Sequence, residues 1–150
     1  MESVAKGFKF PKSERLHHRS LVEGLFRAGK SFYEFPFRVT WRTLSKEELE
    51  KNFRNNLPDN IGHLQMMVTV PKKKRRKAID RVLMRRRIRE AYRLNRLVLL
   101  RQVENSDEIA TMSMALVYIH DQNLPYPAIE EKIKLLLQKL QVRLTQKETH

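Results

Sequence analysis

Lys72–Arg96 reads KKKRRKAIDRVLMRRRIREAYRLNR. These 25 residues hold 13 of the chain's 31 Lys and Arg against two acids, Asp80 and Glu90, so they carry +11 of a total charge of +14. Pro71 precedes the run, and no Gly or Pro occurs from Ala78 until Pro125. Ala78 to about Arg101 are mostly good helix formers, which predicts one continuous helix. At 100° per residue, Arg81, Arg85, Arg86, Arg89, Arg93 and Arg96 fall on one side. Ile79, Leu83, Met84, Ile88, Ala91, Leu94 and Val98 fall on the other, giving a core face and a cationic ridge. Arg81, Arg85, Arg89 and Arg93 recur every fourth residue, about 6 Å apart along the axis, near the spacing of phosphates along a strand. Like charges so placed repel, and arginine offers the planar, bidentate grip that suits phosphate. The pattern points to a polyanion. Solvated charged faces are mixed in sign, which this one is not. PKKKRRK also has the composition of a nuclear import signal, but such signals are short and flexible, whereas this run leads straight into a helix.

Around this segment the chain reads as a single domain over 1–150, long enough for a real core. A sequence pI near 10.4 favours nucleic acid as the partner. There is no cysteine, so disulfides and thiolate metal sites are excluded. No apolar stretch approaches the ~18 residues of a membrane span, and MESVAKGFKF has no signal-peptide pattern. The expectation is a soluble, cytoplasmic protein with no membrane and no protein partner. Residues 1–12 form a basic arm carrying Phe8 and Phe10. A first helix is predicted from Ser13 or Glu14 to Phe26, its apolar side drawn from Leu16, Leu21, Val22, Leu25 and Phe26, with Gly29 as its stop. A strand follows at about Phe35–Arg42, alternating Phe35, Phe37, Val39 and Trp41 with Arg38, Thr40 and Arg42. Pro36 near its start suggests an edge position. Ser45–Gly62 reads as a surface excursion: SKEELEKNFRNN has the makings of a short helix, and NNLPDN is turn chemistry. Leu64–Val70 is a second strand. Met112–Ile119, apolar on both faces, is a third and central one. Pro125 and Pro127 open a last helix over Ala128–Leu144, and 145–150 reads as a frayed tail.

The fold class is α+β: a two-layer α–β sandwich in the order α-β-β-α-β-α, with a three- to four-stranded sheet. Strand, basic helix, strand suggests a crossover that is right-handed by default. The histidines His17, His18, His63, His120 and His150 show no metal-ligand spacing. His120-Asp121 resembles a catalytic pair only by adjacency. No strand carries the carboxylate cluster of a two-metal nuclease, and phosphate-loop and dinucleotide fingerprints are absent. No catalytic or metal-binding residue is assigned.

In order along the chain, Phe10, Glu14-Arg15-Leu16, Phe26-Arg27-Ala28-Gly29-Lys30, Val68-Thr69-Val70-Pro71-Lys72-Lys73, Lys77-Ala78-Ile79-Asp80-Arg81, Arg85-Arg86 and Ile88-Arg89-Glu90-Ala91-Tyr92-Arg93 resemble the bacterial ribonuclease P protein component. The family's signature helix reads approximately K-A-V-x-R-N-R-I-K-R-x-x-R-E. Here Val82 stands in place of its Asn, and Leu83 in place of the next basic residue. Arg87 falls in the apolar sector, where the family often has an aliphatic residue, so it must snorkel or pair. Met67 replaces a small residue, and Ser45–Gly62 is longer than in many relatives.

The resemblance implies an α–β sandwich with four strands and a left-handed crossover through the basic helix. It implies a subunit that binds the catalytic RNA and precursor tRNA, with Mg²⁺-dependent removal of the 5′ leader carried out by that RNA. Mg²⁺ would come through the RNA partner, with none bound by the protein alone. RNA contacts would fall on Lys72, Lys73, Lys74, Lys77, Arg81, Arg85, Arg86, Arg89 and Arg93. A leader cleft would be lined by Val22, Phe26, Arg38, Thr40, Arg85 and Arg89. The alternatives are a structural rRNA-binding protein without a role in cleavage, and a DNA-binding regulator. The second is disfavoured because the basic face lacks Asn or Gln and the leucines form no sustained heptads.

Overall fold

A computed structural model describes residues 10–73 and 75–148. Most of the basic arm (1–9), Lys74 and the last two residues lie outside the described residues. A 3-10 turn at Lys12–Glu14 leads into α1 (Arg19–Ala28), β1 (Lys30–Glu34), β2 (Phe37–Leu44), α2 (Lys46–Asn52), β3 (Leu64–Thr69), α3 (Ala78–Asn95), α4 (Leu97–Glu104), β4 (Thr111–Tyr118) and α5 (Tyr126–Glu148). The four strands pair in the order β1-β2-β4-β3, antiparallel except for β3 with β4. The α+β sandwich with four strands is therefore the fold, and β3–α3–α4–β4 is a crossover between parallel neighbours.

Side-chain alternation divides the sheet into two faces. Phe37, Val39 and Trp41 of β2, Leu64 and Met66 of β3, and Met112, Met114, Leu116 and Tyr118 of β4 enter the main core. There they meet Met84, Ile88, Ala91 and Tyr92 of α3, Leu99 and Val103 of α4, and the stripe Ile129, Ile133, Leu136, Leu137, Leu140 and Leu144 of α5. The other face carries a smaller cluster, in which Leu21 and Leu25 of α1 and Leu49 of α2 pack with Leu16, Leu44 and Ala115. β4 is buried throughout, as expected of a strand paired on both sides.

Several boundaries differ from the sequence reading. The first helix starts at Arg19, because Glu14 is taken by Arg96 and Leu16 N–H donates to the Met66 carbonyl beside β3. Leu16, Leu21 and Leu25 are buried, but Phe26 is 47% exposed. Gly29 does end α1, at an ordinary φ of −76°. The glycine is required by close approach, since a Cβ would stand 3.0 Å from the Trp41 carbonyl oxygen. Pro36 lies in the turn after an additional strand, β1, so Phe37–Leu44 is interior and the edges are β1 and β3. The excursion contains α2, capped reciprocally by Ser45 and Glu48. The last helix runs four residues past Leu144, to Glu148.

The largest difference concerns the basic helix, which breaks at Arg96 into α3 and α4. Its buried sector is turned toward Tyr92, which packs edge-on against Phe10 at 5.7 Å. Ile79 and Val98, expected on the core face, are 76% and 64% exposed, and Leu94 is at the surface. Arg96, expected on the ridge, is 1% exposed. The break resets the helical phase, so Leu99 and Val103 bury in place of Val98.

Candidate nucleic-acid interface

The arginines of the basic segment divide into two groups by their partners. Arg75 donates to the Asp121 carbonyl and to Asn123 Oδ1, and lies 3.5 Å from Asp80 Oδ2. Asn123 donates in turn to Asp80 Oδ1 at 3.1 Å. Arg81 donates to the carbonyls of Arg75 and Arg76 at 2.8 Å each, and Arg87 to that of Leu124. Arg75 thus ties the loop before α3 to the loop before α5, Arg81 ties α3 to the loop before it, and Arg87 ties α3 to the loop before α5. Arg87 therefore pairs, as its apolar sector demanded. Arg96 Nε and Nη2 grip Glu14 Oε1 and Oε2 at 2.6 and 3.2 Å, and Nη1 donates to the Arg93 carbonyl at 2.8 Å.

The second group faces outward. Arg93 holds Glu90 at 2.6 Å, and this contact depresses the Glu90 carboxyl through the hydrogen bond it receives. Arg85, Arg86 and Arg89 have no hydrogen-bond or ion-pair partner among the described residues. All four line a groove of about 400 Å³ together with Phe10, Val82 and Glu90. Lys72, Lys73 and Lys77 are exposed just upstream. A helix face with three unpaired guanidiniums, preceded by exposed lysines, is a surface for phosphates.

The opposite face of the sheet presents a different surface. Ser20 of α1 accepts from Asn52 Nδ2, and Gly24 lies against Arg42, so this flank of α1 is turned toward α2. Val22 and Phe26 occupy the other flank of α1, and on this face of the sheet the strand register sets Tyr33, Arg38, Val117 and Thr69 side by side. Phe26 and Tyr33 are 47% and 68% exposed, so both α1 and β1 present an aromatic to solvent. Val22 is partly buried against the smaller cluster. Arg38 is partly buried, with no partner for Nε among the described residues. Thr40 is buried, and its hydroxyl lies 3.0 Å from that of Ser31. Thus Val22, Phe26, Arg38 and Thr40 share one side of the sheet, while Arg85 and Arg89 lie on α3, which packs on the other. The sequence reading did not include Phe10 or Tyr33 among the site residues. The Phe10-Pro11 flank of the turn and the unread strand β1 are what place them.

The sequence profile of the family described as Ribonuclease P matches residues 10–141. This chain belongs to the ribonuclease P protein family. The Ribonuclease P protein component of Porphyromonas gingivalis is 33% identical over 110 residues, which cover 73% of this chain and 72% of that relative. The RNase P protein of Thermotoga maritima superposes with a TM-score of 0.57 at 20% identity, covering 84% of this chain and 96% of that one. The RNase P protein of Staphylococcus aureus gives 0.56 at 16% identity, with 86% and 96% covered. At these identities the two structures show a shared fold. Ribonuclease P membership accounts for the conjunction of an arginine-faced helix with a parallel crossover on a four-stranded sheet. Among the described residues no helix is long and apolar enough to cross a membrane. No three of His, Asp and Glu there form a group that could hold a metal ion.

Proposed function

We propose that this chain is the protein subunit of a ribonuclease P ribonucleoprotein. In this reading it binds the catalytic RNA and the 5′ leader of precursor tRNA and assists Mg²⁺-dependent removal of that leader. The observation that carries the reading is the outward trio Arg85, Arg86 and Arg89, unpaired among the described residues on the helix that bears the family's signature. Uncompensated charge on one face costs stability unless an anion relieves it. An RNA docked there, with Lys72, Lys73 and Lys77 beside it, supplies that anion.

Mg²⁺ would be held by the RNA. Of the carboxylates near α3, Glu14 is held by Arg96, Asp80 lies beside Arg75 and Asn123, and Glu90 is held by Arg93. They offer no converging donor set for a hard cation, which takes several oxygens. The leader would lie along the strip beside α1, its bases against Phe26 and its backbone along Arg38. Stacking with backbone tracking is how proteins hold single strands without reading sequence. Cytoplasmic residence follows from that role.

Reconstitution tests the reading. Purified protein with Mg²⁺ leaves precursor tRNA intact, and adding the organism's ribonuclease P RNA gives correct 5′ cleavage, faster at low Mg²⁺ than with the RNA alone. Cleavage by RNA-free protein would overturn it. So would equal affinity for ribosomal RNA with no effect on the rate.

A further inference from the structure

The groove on α3 has a composition that phosphate binding alone does not require. Its lining combines the Phe10 ring and Val82, the latter 48% exposed, with Arg85, Arg86, Arg89, Arg93 and Glu90. Phe10 is fixed in place from two directions. Its ring packs edge-on against the fully buried Tyr92, and the Arg15 guanidinium lies 5.6 Å from its centroid while donating to the Phe10 carbonyl at 3.4 Å. The segment bearing it is anchored next to Tyr92 by the Glu14–Arg96 pair. A duplex held only by its phosphates needs no aromatic between the arginines. The faces of paired bases are stacked and beyond reach of a side chain. An anion with an apolar, planar body fits a lining that sets an aromatic ring among guanidiniums.

We propose that this groove takes one unpaired, extruded nucleotide of an RNA, its base against Phe10 and Val82 and its flanking phosphates on Arg85 and Arg89. The proposal rests on the RNA-binding reading above and adds a specific nucleotide site to it, on the face of the sheet away from the leader strip. Recognition is indifferent to base identity. Among the described lining residues the one side-chain acceptor, Glu90, is held by Arg93, which leaves the ring and the guanidiniums to do the binding. Charge also argues against the chain's own arm as occupant: residues 1–9 carry Lys6 and Lys9 against Glu2.

The test compares two RNA hairpins that differ only in one bulged nucleotide, titrated against the full-length protein at fixed salt. Wild type should bind the bulged hairpin roughly tenfold more tightly, the range expected of one base stacked on an aromatic. Phe10→Ala should abolish the preference and leave the paired hairpin's affinity unchanged. Phe10→Leu, which keeps an apolar contact to Tyr92 but lacks the flat ring, should do the same without a change in melting temperature. Phe10→Tyr should retain the preference. Arg85→Ala with Arg89→Ala should weaken both hairpins. A wild type that binds both hairpins equally overturns the nucleotide site but leaves the RNA-binding reading standing, as does a preference that survives in Phe10→Leu. Failure to bind either hairpin at low salt overturns the RNA-binding reading itself.

Discussion

Replacing Arg96 with Met removes a guanidinium that no other residue can substitute. Arg96 and Glu14 lie 82 positions apart and join the segment before α1 to the α3–α4 junction. Their side chains are 1% and 11% exposed, and two hydrogen bonds of 2.6 and 3.2 Å link them. Removing one partner strands the other's charge out of water, at a cost of about 3–5 kcal/mol. The exposed pair Arg19–Glu23 has the same chemistry at 92% and 59% exposure, where water screens the charges and the contact adds little. Against a typical total of 5–15 kcal/mol, Arg96→Met should take a large share of the stability. At about 2–4 °C per kcal/mol for a chain of this size, the melting temperature should fall by roughly 10 °C. The double variant Glu14→Leu with Arg96→Met leaves no stranded charge and should recover most of the loss, giving a coupling of about 3 kcal/mol in a double-mutant cycle. Urea titrations with thermal melts on the four proteins supply the cycle. Single variants costing less than about 1 kcal/mol, or a double variant equal to the sum of the singles, would refute the claim that this pair is a desolvated clamp.

Phe26→Ala should lower precursor tRNA affinity of the reconstituted enzyme about tenfold while sparing mature tRNA and RNA docking. Because Phe26 is half-exposed, its melting temperature should barely move, and equal loss for long-leader, leaderless and mature tRNA would remove it from the cleft. The Tyr118 phenol, donating to the Gln122 carbonyl, is pushed by burial from the usual 10 up to about 12. Between those values the unfolded chain ionises while the folded one keeps its proton, so this contribution is complete below pH 10 and is lost toward pH 12. Melts across that window should slope downward, and Tyr118→Phe should flatten the slope; buried Tyr92 shifts in the same direction and leaves a residual.

The sequence by itself determined whatever depends on neighbours along the chain. The charge of Lys72–Arg96, the alternation in β2 and β3, the doubly apolar β4 and the stripe of α5 are local patterns, and the family resemblance follows from their order. The short strand β1, KSFYE, carries one buried residue, Phe32, and has no pattern that separates it from a loop until β2 pairs with it. Only the tertiary structure decided what each arginine does. A wheel sorts Arg81, Arg85, Arg89, Arg93 and Arg96 onto one side because it contains no partners. Folding brings Glu14 to Arg96 and places Asp121, Asn123 and Leu124 beside Arg75 and Arg87. A guanidinium within reach of a buried acceptor is held there, since leaving that acceptor unpaired costs more than the contact returns. Arg85, Arg86 and Arg89 meet no such acceptor among the described residues and line the groove instead. The helix break at Arg96 and the turn of the buried sector toward Tyr92 have the same origin, in contacts made by residues far away in the sequence.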